Sequence, residues 1–113
     1  MRASIIDRTG GPDVLHIADV ERPVKVNAEF LVKVVAAGVN PIDAKSRSGA
    51  GASGAFGDYP IILGNDFSGI VMESSYDAHP IKPGDEVYGM TMVPRFGGTY
   101  AEYITVPATC IAR

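Results

Sequence analysis

The stretch Phe30-Leu31-Val32-Lys33-Val34-Val35-Ala36-Ala37-Gly38-Val39-Asn40-Pro41-Ile42-Asp43 decides the fold. Its first eight residues read as the clearest strand in the chain. Phe30, Val32, Val34 and Ala36 fall on one face, and Leu31, Lys33, Val35 and Ala37 on the other. Both faces are largely apolar, so the strand is expected to be well covered. Gly38-Val39 then hands over to a helix start. Asn40 can cap, Pro41 suits the first helical position, and Asp43 at the third meets the positive end of the helix dipole.

Short strands are expected on both sides of this centre. Met1 to Asp7 carries the β-branched pair Ile5-Ile6, and Val14 to Val20 follows a turn at Arg8 to Asp13. Phe67 to Glu73 is a strand with Gly69 inside it, which signals a bulge or a close backbone approach. Lys82-Pro83-Gly84-Asp85 is a turn. Glu86 to Met92, Thr99 to Val106 and Thr109 to Ala112 complete the strands. Thirteen Gly and eight Pro among 113 residues leave little room for long helices. The expected fold is mainly β: a small, partly open barrel of short strands with one or two short helices.

Bulk properties narrow the function. An apolar fraction of 46% with 20% charged residues fits one globular domain and argues against disorder. A net charge of −3 and no basic run offer no attraction to nucleic acid or an anionic membrane. No apolar run approaches the roughly 18 residues of a membrane span. Met1 to Asp7 lacks the apolar core of a signal peptide, and Cys110 stands alone, so a cytoplasmic location is the expectation.

Several chemical constellations are weak. Gly49-Ala50-Gly51-Ala52-Ser53-Gly54 fits the dinucleotide pattern G-x-G-x-x-G, but Lys45 to Ser48 is no buried strand, and Gly57 and Pro60 stop any helix beyond it. It reads as a mobile surface loop. His16, His79 and Cys110 lack the short paired spacings of a zinc site, and no metal is expected. Cys110 reads as a small apolar group in a strand. Neither histidine has a convincing partner in the sequence, and no serine sits in G-x-S-x-G, which leaves a hydrolase unsupported. Asn40 and Asp43 serve as cap and dipole-matched acid, or present themselves to a ligand beside a cleft. Asp66 reads as a turn acid. Tyr59 is a core or edge aromatic, or a pocket hydroxyl.

Four ordered motifs resemble the medium-chain dehydrogenase/reductase superfamily, in its quinone oxidoreductase or zeta-crystallin-like branch. They are Leu31 to Asp43, Tyr59-Pro60-Ile61-Ile62-Leu63-Gly64-Asn65-Asp66-Phe67-Ser68-Gly69-Ile70-Val71, Lys82 to Gly89, and Gly98-Thr99-Tyr100-Ala101-Glu102-Tyr103. The resemblance implies a GroES-like β-barrel over residues 1–113, forming one wall of a cleft. The Rossmann domain that forms the other wall is expected to be missing from this chain. It implies hydride transfer from NADPH (or NADH) to a quinone, an enone or a similar small molecule. The zinc-dependent branch places Cys at Asn40 and His at Asn65, so the resemblance is to the zinc-free branch.

Carried over by motif, Asn40, Asp43 and Tyr59 are the implied catalytic residues, with Asn40 and Pro41 toward the cofactor. Lys45 stands where some quinone reductases have a second tyrosine, which points to a different pocket. On this reading the chain alone is inactive. An apolar patch near Asn40, Tyr59 and Phe96 is expected to be uncovered, able to drive self-association into a homo-oligomer. The alternative is a stand-alone binding or assembly module on the same barrel, as in the co-chaperonin GroES. Against it, Gly49 to Gly57 carries only Phe56 as a large apolar anchor.

Overall fold

The computed structural model describes residues 1–26, 28–50, 59–91 and 98–113. Among these residues, eight strands and one α-helix follow in the order β1 (Arg2–Ile6), β2 (His16–Asp19), β3 (Glu29–Ala36), α1 (Pro41–Ser48), β4 (Ile61–Ile62), β5 (Asp66–Glu73), β6 (Glu86–Met90), β7 (Tyr103–Pro107) and β8 (Ile111–Ala112). Short 3-10 turns lie at Pro12–Val14 and Ala108–Cys110.

All strand pairings are antiparallel. A three-stranded sheet has the order β2-β1-β4, and a five-stranded sheet has the order β7-β3-β5-β6-β8. The larger sheet curls into a half-barrel, as the strand pattern predicts. Its core is Phe30, Val32, Phe67, Val71, Val87, Ile104 and Val106. A second cluster, Ile6, Val14, Ile61 and Leu63, packs under the smaller sheet. The segment before β7 stitches the two sheets together: Ser4 N donates to Tyr100 O at 2.8 Å and Tyr100 N to Leu63 O at 3.0 Å.

The coverage expected for β3 holds only for its first half. Phe30, Leu31 and Val32 are buried, whereas Val35 is 68% exposed. The cause is the length of the neighbour. Strand β7 pairs with Glu29 to Lys33 and no farther, and the register with β5 shifts between Val34 and Ala36. Gly69 sits opposite Val34 there, and a Cβ on it would strike the Lys33 carbonyl. The sequence signal of a close approach at Gly69 is therefore met. Cys110 lies in the 3-10 turn ahead of β8, half-buried, rather than inside a strand. Ile61–Ile62 form a short strand, β4, that the apolar run Ile61-Ile62-Leu63 did not disclose.

Candidate functional site

Helix α1 begins as its sequence predicts. Asn40 is the N-cap in extended conformation, Pro41 is the first helical residue, and Asp43 is the third. Asp43 Oδ2 accepts the Asn40 backbone N–H at 3.0 Å, the returning half of a capping box. Gly49 ends the helix, and the remainder of the glycine-rich stretch, from Gly51, lies outside the described residues.

The cap is also the hub of a larger network. Asp43 is only 2% exposed. Its Oδ1 accepts from Asn65 Nδ2 at 3.0 Å, and its Oδ2 accepts from the Tyr100 hydroxyl at 3.0 Å. Three donors from three chain segments therefore converge on one buried carboxylate. That satisfies a group which would be costly to bury alone. Asn65, 3% exposed, meets the Thr91 hydroxyl, whose hydrogen is shared between the Asn65 carbonyl at 3.2 Å and Oδ1 at 3.3 Å. Asp66 supplies a second carboxylate. Its Oδ1 accepts Gly38 N at 2.5 Å, and its Oδ2 accepts Asn40 Nδ2 at 2.7 Å. A Cβ on Gly38 would collide with that carboxylate, so glycine is required for the contact.

Asn40 is thus tethered twice, through its backbone to Asp43 and through its amide to Asp66. Its side chain is half-buried at the helix N-terminus, and Pro41 beside it is exposed. Among the described residues neither Asp43 nor Asp66 forms an ion pair. Burial, and then the facing carboxylate of Asp43, push the Tyr100 phenol well above the ordinary tyrosine range.

The structure brings Asn40, Pro41 and Asp43 together at the start of α1. Tyr59 stands at the entry to β4, 43% exposed. Val39 is 81% exposed, while Phe96, expected in an apolar patch with Asn40 and Tyr59, lies outside the described residues. Asp66, read from sequence as a turn acid, opens β5 and holds Asn40. Tyr100 and Thr91 were not anticipated. The sequence carried no signal for them, because the need for donors beyond the cap follows from the burial of Asp43, which only the fold shows.

The histidines lie elsewhere. His16, on the exposed face of β2, pairs through Nε2 with Asp7 Oδ2 at 2.6 Å, a partner nine residues away that the sequence had not disclosed. His79 Nδ1 accepts Ile81 N at 3.0 Å, and its ring meets the Phe30 ring edge-on at 4.9 Å. Among the described residues no three His, Cys, Asp or Glu side chains cluster as metal ligands would. No helix among them is long and apolar enough to cross a membrane.

Comparison with known proteins places this arrangement. The family model of the alcohol dehydrogenase GroES-like domain matches residues 26–113. The chain belongs to that family. This GroES-like domain is similar to human "NAD(P)H oxidoreductase RTN4IP1, mitochondrial", 38% identical over 120 residues that cover 94% of this chain and 30% of that protein. It is 34% identical to human quinone oxidoreductase over 104 residues, covering 91% of this chain and 30% of that protein. The solved structure of the quinone oxidoreductase from Coxiella burnetii superposes with a TM-score of 0.93 at 36% identity, covering all of this chain and 36% of that one. These relatives are quinone and NAD(P)H oxidoreductases of the medium-chain dehydrogenase/reductase superfamily. The domain spans about a third of their length.

Proposed function

We propose that this GroES-like domain is the substrate-side wall of a zinc-independent, NAD(P)H-dependent oxidoreductase that reduces quinones or enones in the cytoplasm. The observation that carries the reading is the double tether of Asn40. At an accessible helix N-terminus, the Asn40 backbone N–H is held by the buried Asp43 carboxylate and its side-chain amide by Asp66. Such a group is oriented before any ligand arrives, which is what positioning a reactive ring requires.

The donor set suits a nicotinamide better than zinc. Asn40 Nδ2 gives one hydrogen to Asp66 and keeps a second for an acceptor on a ligand. Asn65 is an amide, and its nitrogen is committed to Asp43. Neither asparagine offers the thiolate or imidazole that a catalytic zinc prefers. When bound, the nicotinamide supplies the hydride. Asn40 would orient the ring or the substrate carbonyl, with exposed Pro41 beside it, and Tyr59 would present its hydroxyl to the substrate. In this reading Asp43 acts through Asn40 and Asn65 as a positioning residue.

Holding the rest of the cofactor is assigned to a second, dinucleotide-binding domain, so the 113-residue chain is expected to be inactive alone. The test is calorimetry with NADPH and NADH on this chain and on a longer chain continued past Arg113. Binding and quinone-dependent oxidation of NADPH by the longer chain only supports the reading. A longer chain that neither binds nor oxidises either cofactor overturns it and favours a binding or assembly module.

A further inference from the structure

We infer that Tyr100 is a positioning residue of this site: by donating to Asp43 Oδ2 it fixes the plane of that carboxylate, and through it the orientation of Asn40 and Asn65. The inference rests on the proposed ligand-facing role of Asn40.

A carboxylate turns about its Cβ–Cγ bond unless both oxygens are held from different directions. Asp43 Oδ2 receives Asn40 N, a bond local to the helix start that tolerates some rotation. The Tyr100 hydroxyl reaches the same oxygen at 3.0 Å from 57 residues away. Its backbone is pinned at both ends, to Leu63 O and by Ser4 N. Gly64 makes room for the ring, because a Cβ there would collide with it. Tyr100 is thus a donor mounted on the seam between the two sheets.

The other oxygen is set with equal care. The Thr91 hydroxyl shares its one hydrogen between the Asn65 carbonyl and Asn65 Oδ1, on the side away from the Asn65 nitrogen that donates to Asp43 Oδ1. With the plane fixed, Asn40 N and Asn65 Nδ2 each find one acceptor position. Without Tyr100, Oδ2 keeps only the bond local to the helix start, and Asn65 Nδ2 on Oδ1 is the one remaining side-chain hold on the carboxylate, so its plane is less tightly fixed. Burial, then the carboxylate of Asp43 on α1 and lastly that of Asp66 on β5, favour the protonated, donating form of the Tyr100 hydroxyl.

The test is Tyr100→Phe, which keeps the ring and removes the donor. In this chain, hydrogen exchange followed by NMR is expected to quicken at least about tenfold at the Asn40 amide, while core amides of β3 and β5 such as Val32 and Val71 stay unchanged. In the longer chain, kcat for quinone reduction is expected to fall about tenfold, with KM altered less than about twofold. Unchanged exchange at Asn40, or unchanged kcat in an active longer chain, overturns the inference. If the longer chain shows no activity in either form, the oxidoreductase reading fails, and the exchange result still decides the positioning role. Should Tyr100→Phe not fold, the unaltered chain serves. Its Tyr100 hydroxyl proton, held on Asp43 Oδ2, is expected to exchange slowly enough to be seen by NMR, and a hydroxyl proton that exchanges freely with water overturns the inference.

Discussion

The side-chain amide of Asn65 donates to Asp43 Oδ1 at 3.0 Å inside the protein, across 22 residues of sequence. This bond joins the start of the only α-helix among the described residues to the residue that precedes β5. It is one of three that make a buried acid tolerable.

Asp43→Ala is expected to cost about 3 kcal/mol. The substitution leaves Asn40 N, Asn65 Nδ2 and the Tyr100 hydroxyl without their shared anionic acceptor, and charge-assisted bonds are the stronger kind. Urea unfolding of both proteins checks this, with a lowered midpoint and an unchanged slope. A loss below about 1 kcal/mol would show that the network relaxes around water.

Two glycines with positive φ are expected to differ in kind. Gly64 (φ +104) faces Thr99 and the Tyr100 ring, whereas Gly84 (φ +93) has open space where a Cβ would stand. Gly84→Ala therefore meets only the backbone penalty of about 1–2 kcal/mol. Gly64→Ala adds a collision with the segment that carries Tyr100, and is expected to cost at least about 1 kcal/mol more than its counterpart. Thermal melts of the two variants side by side give the comparison.

Alkaline solution is expected to weaken the fold through Tyr100. Burial, then Asp43, raise its folded-state pKa above that of the unfolded chain. The folded state therefore holds this proton more tightly, and its contribution is fully present below about pH 10. It is lost progressively as the pH climbs from there toward the folded-state value. Tyr100→Phe is expected to flatten this limb of the stability curve. An identical limb in both proteins would assign it to other groups.

Phe30→Ala is expected to cost about 4 kcal/mol, since Phe30 is fully buried at the centre of the main core and carries the edge-on contact with His79. Chemical denaturation measures it. The variant leaves the network around Asp43 untouched, so the Asn40 amide is expected to keep its protection relative to the core.

The sequence by itself determined the approximate places of most strands, β4 excepted, and of the turns and the helix start, because each is written in neighbouring residues. Alternation produced β3, Asn40-Pro41 and Asp43 produced α1, and Lys82 to Asp85 produced the turn before β6. The ordered motifs also marked the family. The exposed second half of β3 was not legible, because it depends on where β7 stops pairing. Nor was the meeting of Asp43, Asn65 and Tyr100, whose separations of 22 and 57 residues leave no periodic trace. Only the stitching of two curled sheets through the segment before β7 brings those donors to one carboxylate. Hydrogen bonds act over about 3 Å, so such a site exists only where the tertiary fold has already placed distant chain segments side by side.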